Sequence, residues 1–275
     1  MQEIQLKDKT LFDRYFNRFP PVISELTFTN LFCWTQARPI IWEERQGHLL
    51  IKAAVMKPFF FMPVGAAPEK LLPSIDAPVL RTDESFAAKA KALGFAVEED
   101  RPQEDYVYAQ GDLATLQGSR YEEKRSFVNS ATALSPEVEE VSLKNRDECL
   151  VVMEDWCRKH NCEGELLKGE YDAIQASFRC LKELAVQGVA VRVNGIIEAF
   201  ALGEPLNQDT YVIHFEKANN DYRGLSAFVN KAFAERLSAF PWINREQDLG
   251  IPGLRKAKLS YHPSRLVKKF SVRPA

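Results

Sequence analysis

The chain has 275 residues, of which 45% are hydrophobic and 27% are charged. This balance is typical of a globular protein with a sizeable core, and the 18 Phe residues argue against a disordered chain because they require burial. No apolar run is long enough to cross a bilayer, and the mixed charges of residues 1–10 are unlike a secretory signal. We therefore expect a cytoplasmic protein without an integral membrane segment.

The net charge of −2 conceals an uneven distribution. Residues 249–275 contain seven Lys or Arg residues and no Asp or Glu, whereas the rest of the chain has 29 basic and 38 acidic residues. A basic segment on an acidic body predicts a local anion-binding surface. The alternative is a solvated tail that has no partner.

Hydrophobic spacing predicts a first lobe over residues 1–111 that combines a mixed sheet with helices. The Pro20-Pro21 pair ends the first helix, and Gly94 is a candidate C-cap for a later one. The expected elements are helices at 7–17, 68–72 and 85–93 and strands at 39–43, 48–56, 59–63, 95–98 and 106–109. Few polar residues accompany these strands, so we expect this lobe to be the degenerate one of the two.

Residues 112–275 predict a second lobe that holds the candidate site. Its clearest β signal is a hairpin around the Asn194-Gly195 turn, which is followed by another strand and a long amphipathic helix. The expected elements are helices at 112–131, 147–159, 171–184 and 224–240 and strands at 189–193, 196–202, 209–215, from 242 onward, and at 258–261. This order predicts an α+β fold in which mixed, mostly antiparallel sheets are flanked by helices.

Two adjacent basic residues, Lys124 and Arg125, lie on the first helix expected in the second lobe. Adjacent helical positions point to different faces, but together the two side chains could bind a phosphate or a carboxylate. The alternative is an ordinary charged helix face.

A second candidate group surrounds the end of the strand expected at 209–215. In a strand, His214 and Glu216 share one face, and a histidine beside a carboxylate is suited to acid–base chemistry. Arg223 and Gly224 follow where the long helix begins, and the free N–H groups of a helix start favour a bound anion. The alternative is a surface histidine followed by a helix-entry loop.

The third candidate group lies in the segment 244–263, which reads NREQDLGIPGLRKAKLSYHP. Asp248 precedes Gly250 and Gly253, and glycines allow the backbone to approach a ligand closely. Arginine binds phosphate or carboxylate with a fork of donors, lysine acts as a point charge, and tyrosine can hydrogen-bond a substrate. The candidate binding residues are Arg255, Lys256, Lys258 and Tyr261. The alternative is a structural loop.

Other motifs are absent or weak. The sequence has no Walker A loop, no dinucleotide-binding glycine motif and no G-x-S-x-G elbow. Cys157, His160 and Cys162 have a spacing unlike that of a usual zinc site. We therefore expect no metal site, and no cofactor is certain.

Four stretches resemble one known family. HFEKANNDYRG before the long helix and NREQDLGIPGLRKAKLSYHP after it are similar to the phosphatidylglycerol lysyltransferase C-terminal domain family, and more closely to its free-standing soluble members of unknown function. LQGSRYEEKRSFVN and FTNLFCW fit the same family. The resemblance covers nearly the whole chain. It implies two tandem GNAT-like lobes, meaning lobes of the acyl-CoA N-acyltransferase type.

The resemblance also implies kinship with enzymes that transfer an aminoacyl group from aminoacyl-tRNA to an amine or hydroxyl of a lipid or of peptidoglycan. GNAT enzymes that use acyl-CoA hold its pyrophosphate with the pattern Arg/Gln-x-x-Gly-x-Gly/Ala. Here Asp221 takes the first position and Ser226 the last. These departures weigh against standard CoA binding.

We therefore expect an acyl- or aminoacyltransferase in which an amine or hydroxyl attacks an activated acyl ester directly. Asp248 or Glu216 would take the proton, with His214 as a further acid–base group. Arg255 and Lys258 would bind the phosphate or 3′ end of the donor.

Two other functions remain open. One is an acyl-CoA-dependent N-acyltransferase with degenerate CoA binding. The other is a non-enzymatic ligand- or RNA-binding protein on a GNAT scaffold, in which the basic tail would bind tRNA. In the enzymatic readings, we expect nucleic acid only as the donor tRNA.

Overall fold

The computed structural model describes residues 1–160 and 164–274, so the Cys157–Cys162 spacing lies partly outside the described residues. The helices are α1 (Lys9–Arg18), α2 (Phe28–Cys33), α3 (Glu84–Ala92), α4 (Gln110–Thr115), α5 (Glu122–Thr132), α6 (Arg146–His160), α7 (Glu165–Arg179), α8 (Leu181–Leu184), α9 (Leu225–Arg236) and α10 (Pro252–Leu259). The strands are β1 (Gln2–Glu3), β2 (Ile40–Arg45), β3 (His48–Ala53), β4 (Phe59–Phe61), β5 (Val79–Thr82), β6 (Ala96–Glu99), β7 (Asp105–Ala109), β8 (Glu137–Glu140), β9 (Gln187–Val193), β10 (Ile196–Pro205), β11 (Thr210–Ala218), β12 (Trp242–Asn244), β13 (Arg265–Val267) and β14 (Phe270–Arg273).

Two seven-stranded sheets with the same internal pattern organise the chain. The first has the order β1-β2-β3-β4-β5-β14-β6 and the second the order β13-β7-β12-β11-β10-β9-β8. Each sheet contains a single parallel pair among its described strands, β4 with β5 and β11 with β12, and all its other pairs are antiparallel. With helices packed on these sheets, the α+β prediction is confirmed.

The two lobes exchange one strand from the middle of the chain and one from its end. β7 comes before residue 111 but pairs with β12 and β13 in the second sheet. The last strand, β14, returns to the first sheet between β5 and β6. The sheets therefore do not divide at residue 111, where the domain boundary was predicted.

A buried ionic cluster holds this exchange in place. Lys269 precedes β14 and is completely buried, and its Nζ donates to Asp105 at 2.6 Å and to Glu25. Ser24 donates from its backbone N–H and its hydroxyl to the same Asp105 carboxylate. Because both carboxylates are buried, the lysine that pairs with them fixes where the chain enters its final strand.

Two of the differences between predicted and observed elements involve candidate residues. The helix expected over 112–131 is interrupted between α4 and α5, because Leu116 and Gly118 both have positive φ angles, of 51° and 89°. The last strand expected at 258–261 is instead the end of α10 and the turn after it. Pro252 is the first residue of α10, and proline at this position favours the start of a helix. The prediction used only the spacing of the glycines in this segment and therefore missed the helix.

The hairpin at the start of the second sheet confirms its prediction. β9 and β10 flank a turn in which Asn194 and Gly195 have φ angles of 51° and 83°. None of the described helices is long and apolar enough to cross a membrane.

Candidate functional site

The parallel strands of the second sheet separate soon after they pair. β11 and β12 are paired only from Thr210 to Val212 and from Trp242 to Asn244, whereas β11 continues to Ala218. Ligands of α/β sheets commonly bind beyond the carboxyl ends of parallel strands, where such a gap opens. Here ionisable side chains from both strands lie at the gap, and they occupy its two opposite faces.

A β-bulge places the two predicted acid–base residues on opposite faces. On β11, Ile213 pairs with Gly203 and Phe215 pairs with Leu202, so His214 is the extra residue. A bulge reverses the alternation of side chains beyond it. The prediction that His214 and Glu216 share one face is therefore wrong. His214 faces the first lobe, and Glu216 faces α9.

On the first-lobe face, His214 lies between two carboxylates. Its Nδ1 is 2.8 Å from Glu246 Oε1 and its Nε2 is 3.0 Å from Glu204 Oε1. Its side chain is 2% exposed, and burial opposes its charge, but the two acidic partners prevail and raise its pKa to about 9. His214 is thus an imidazolium that orients its partners. We call His214, Glu204 and Glu246 the histidine cluster.

Glu246, like Glu204, was not singled out from the sequence. Its Oε1 accepts hydrogen bonds from His214 and from Asn30 of α2, while no described residue donates to Oε2. Burial raises the pKa of its carboxyl, although 17% of the side chain remains exposed. Its backbone has a φ angle of 57°, a strained conformation of the kind that concentrates at functional sites. A carboxylate with a raised pKa and an open oxygen is suited to accept a proton.

On the opposite face, Glu216 is paired with an arginine rather than with the histidine. Arg245 Nη2 lies 3.2 Å from Glu216 Oε1, and Asn230 of α9 donates to Oε2 at 3.0 Å. The Arg245 guanidinium also lies over the Tyr108 and Tyr261 rings, 4.9 Å from the latter. Its Nη1 is shielded from solvent and has no hydrogen-bond partner in the described part of the chain. A buried donor without a partner is costly, so this atom points to an acceptor supplied by a ligand.

Three further predicted residues collect around Arg245. Lys258 donates to the Arg245 carbonyl, and burial together with the Arg245 charge lowers its pKa to about 8. Lys124 Nζ lies 4.3 Å from the centre of the Tyr261 ring, and burial lowers its pKa as well. With one acid against three cations, this group attracts anions. We call Glu216, Arg245, Lys258, Lys124 and Tyr261 the arginine cluster.

Asp248 occupies a saturated structural position. It is completely buried and accepts hydrogen bonds from Arg255 at 2.7 and 3.0 Å, from the Tyr106 hydroxyl at 2.6 Å and from the Gly250 N–H at 2.8 Å. Burial opposes ionisation, but Arg255 and the other donors hold its pKa well below the usual range. This geometry fits a carboxylate that anchors the 249–251 turn and does not fit the predicted base. Arg255 is likewise committed to Asp248.

Arg125 and Lys256 lie apart from both clusters. Arg125 donates to the carbonyls of Leu116 and Gly118, which closes the break between α4 and α5. Lys256 is exposed at a shallow depression of about 550 Å³ on α10, which Arg255 also lines. These contacts do not support the predicted anion site at Arg125.

The start of α9 is more enclosed than expected. Gly224 has a φ angle of 84°, and a Cβ there would lie 1.9 Å from the Phe127 carbonyl oxygen of α5. Arg223 is exposed, with its guanidinium 5.6 Å from the centre of the Phe127 ring. Asp221 forms an ion pair with Lys159. The helix start therefore packs against α5 and carries an acid where a pyrophosphate needs a donor.

Comparison with known proteins gives one family. Residues 16–273 match the model described as phosphatidylglycerol lysyltransferase, C-terminal. A conserved protein of unknown function from Bacteroides thetaiotaomicron is 30% identical, with coverage of 98% of each chain and a TM-score of 0.92. A search of curated proteins returned no significant match.

More distant structures share the fold. L-PGS from Bacillus licheniformis is 13% identical, with 99% of this chain and 93% of that chain covered and a TM-score of 0.69. FemX is 11% identical, with coverage of 98% and 97% and a TM-score of 0.66. Together with the two equivalent sheets, these likenesses confirm the predicted fold of two lobes whose mixed, mostly antiparallel sheets are flanked by helices.

Proposed function

The chain belongs to the phosphatidylglycerol lysyltransferase C-terminal family, and from that premise we propose that it is an aminoacyltransferase. It would move an aminoacyl group from aminoacyl-tRNA to an amine or a hydroxyl, at the gap between β11 and β12. The observation that carries the proposal is the open carboxylate oxygen of Glu246, which lies on the other side of this gap from the unpartnered Nη1 of Arg245. One face offers a base and the other offers positive charge for the donor.

The proposed reaction is a direct transfer. The acceptor nitrogen or oxygen attacks the ester carbonyl carbon and loses its proton to Glu246 Oε2, while His214 and Asn30 hold Oε1 in place. Arg245 balances the negative charge that develops on the carbonyl oxygen. The ester C–O bond then breaks, and the ribose oxygen of the tRNA leaves with a proton from Lys258, whose pKa is about 8.

The start of α9 supports an aminoacyl ester over acyl-CoA as the donor. Binding a pyrophosphate there requires open backbone N–H groups and a favourable charge. In this chain Asp221 brings negative charge, and the backbone of Gly224 abuts the Phe127 carbonyl. A donor that places its phosphates at Lys124, Lys258 and Arg245 avoids both obstacles.

The test is a transfer assay. The purified protein is mixed with tRNA carrying a radiolabelled amino acid, or with labelled acetyl-CoA, and a panel of amine and hydroxyl acceptors. We expect label to leave tRNA faster than by spontaneous hydrolysis and to appear on an acceptor. Glu246→Gln should slow this transfer by at least about 100-fold, because a general base typically contributes that much or more.

The matched control is Glu235→Gln, which removes an exposed carboxylate of α9 that pairs with Lys231. We expect its transfer rate to equal that of the wild type. Full activity in Glu246→Gln would exclude this base. Transfer from acetyl-CoA alone would replace the proposed donor, and no transfer from either donor would contradict the enzymatic proposal.

A further inference from the structure

Two arginines of the first lobe converge on one aromatic ring. The Arg38 guanidinium lies 5.3 Å from the centre of the Phe61 ring, and the Arg81 guanidinium lies 5.8 Å from it. Arg38 follows α2, whereas Arg81 belongs to β5, and Phe61 is the last residue of β4. Two like charges held around one ring repel each other, so the protein maintains an unfavourable arrangement here.

Both arginines carry buried donors without partners. Arg38 Nε and Arg81 Nη1 are shielded from solvent and have no hydrogen-bond partner among residues 1–160 and 164–274. Arg81 still pairs through Nε with Glu25 Oε1 at 3.1 Å, but no ion pair of Arg38 is found within the same residues. Burial, followed by repulsion from Arg81, lowers the pKa of Arg38 to about 9. An unpaired buried guanidinium is costly unless a ligand completes it.

The backbone aims Arg81 at this position. Four residues of β5, Val79 to Thr82, face only three residues of β14, so β5 contains a bulge. Arg81 has a φ angle of 56°, which is unusual inside a strand. Bulges and strained residues recur where a side chain is redirected towards a ligand. This is an observation independent of the missing hydrogen bonds, and it points to the same site.

Arg38 of this pair is also within electrostatic range of the histidine cluster. The charges of Glu25 and of Glu246, the proposed base, both act on the Arg38 guanidinium. From the convergent guanidiniums, their unpartnered donors and this neighbour, we infer that Arg38 and Arg81 bind an oxyanion group, a carboxylate or a phosphate, carried by the acceptor substrate. The assignment to the acceptor rests on the proposed function, but anion binding itself does not require turnover.

The two guanidinium groups restrict which chemical groups the acceptor substrate can carry at this position. Arginine forks match planar carboxylates and phosphates, and a second guanidinium excludes a cationic group from the same place. An acceptor held this way presents a nucleophilic amine or hydroxyl to Glu246 while its anion is fixed in the first lobe. The first lobe would then select the acceptor, and the arginine cluster of the second lobe would hold the donor.

The test measures anion binding by thermal denaturation. Sodium phosphate and sodium acetate are each titrated against sodium chloride at constant ionic strength, with wild type, Arg38→Leu, Arg81→Leu and Arg18→Leu. Arg18 is the control, because it is an exposed arginine that also lies over a ring, that of Phe19 at 5.4 Å. We expect phosphate or acetate to raise the Tm of wild type and of Arg18→Leu, and to have at least about tenfold weaker apparent affinity for the other two variants.

The responses to phosphate and to acetate distinguish the two sources of the oxyanion. No anion effect in the wild type beyond that of chloride would overturn the inference, as would equal effects in all four proteins. The ligand-free Tm is a second measurement. If Arg38 is kept for binding, Arg38→Leu is as stable as wild type or more so, whereas a lower Tm would show a structural role. Anion binding that persists in Glu246→Gln, or in a wild type without transfer activity, would support the anion site even if the proposed transfer reaction is wrong.

Discussion

The parallel strand pairs of the two lobes have the same topology, but different side chains lie where their strands separate. In the second lobe, β11 continues for six residues beyond Val212, the last residue that it pairs with β12, and this extension carries His214 and Glu216. In the first lobe, β4 ends at Phe61, which is itself paired with Leu80, so its gap is lined by aromatic rings. Strand order therefore does not determine chemistry, and the side chains at the divergence do.

One position is nevertheless equivalent. Arg81 directly follows the last residue of β5 that pairs with β4. Arg245 directly follows the last residue of β12 that pairs with β11. Both arginines lie over aromatic rings, and both have a buried Nη1 without a partner in the described chain. The first lobe was predicted to be the degenerate one, and this stays a prediction. The arginine at this equivalent position is the reason that we assign the first lobe a binding role.

The crossovers between the parallel strands also differ. The second lobe connects β11 to β12 through the 12-residue helix α9, whereas the first lobe uses the 3-10 helix Pro68–Ser74, which contains Pro73. A short 3-10 turn provides few aligned N–H groups for a phosphate. This difference is consistent with the proposed division, in which the second lobe holds the donor and the first lobe binds the acceptor.

The largest predicted effect concerns the link between the lobes. Lys269→Met leaves the Asp105 and Glu25 carboxylates buried without their cation, so we expect the free energy of unfolding to fall by about 3–5 kcal/mol. Urea denaturation monitored by tryptophan fluorescence measures this change. If the exchange of β14 keeps the two lobes together, they should unfold in a single transition in the wild type.

Lys268→Met is the matched control at the adjacent position. Lys268 is 49% exposed and pairs with Glu99, so its loss should leave stability almost unchanged. Equal losses in the two variants would mean that the buried cluster has no special role in holding the lobes together.

Local patterns predicted much of this fold, as the hairpin at Asn194-Gly195 shows. Such a turn depends on residues that are adjacent in sequence, and its φ angles follow from its composition. The return of β14 to the first sheet could not be predicted, because it depends on a pairing of Phe270 with Thr82. Contacts between residues this far apart leave no periodic signal in either segment.

The site shows the same division. Lys124, Lys258 and Tyr261 were identified by charge and spacing, and they do come together. Glu246 was missed because its importance comes from a positive φ angle and from His214 and Asn30, which belong to distant segments. A bulge likewise has no sequence signal strong enough to have separated His214 from Glu216.

A second prediction concerns the histidine cluster, which the first lobe lacks. The pKa of His214 is about 9 in the folded protein and about 6.5 in an unfolded chain. Its ion pairs therefore stabilise the fold fully below pH 6.5 and are lost as the pH rises towards 9. Between pH 6 and pH 9.5, we expect the free energy of unfolding of wild type to fall by roughly 3 kcal/mol more than that of His214→Gln.

Urea denaturation at four pH values in this window tests the prediction. His262→Gln is the control, because His262 lies at an exposed position and contacts the Arg120 carbonyl. Its pH profile should follow that of wild type. Parallel profiles for wild type and His214→Gln would mean that the two carboxylates do not hold a proton on the histidine.

The smallest effect sharpens the contrast between the crossovers. Gly224→Ala forces a side chain into a φ angle of 84° and places its Cβ against the Phe127 carbonyl, so we expect a loss of about 2 kcal/mol. Gly195→Ala is the matched control, since its φ angle is 83° but no atom lies within 4 Å of the added Cβ. Urea denaturation measures the loss in free energy of unfolding of each variant. The backbone strain is the same in both variants, so the difference between the two losses is the cost of the contact with Phe127.

Equal losses would mean that α5 moves away easily, and the start of α9 could then open for a pyrophosphate. A larger loss in Gly224→Ala would mean that α5 is fixed there, which favours a donor held by the arginine cluster.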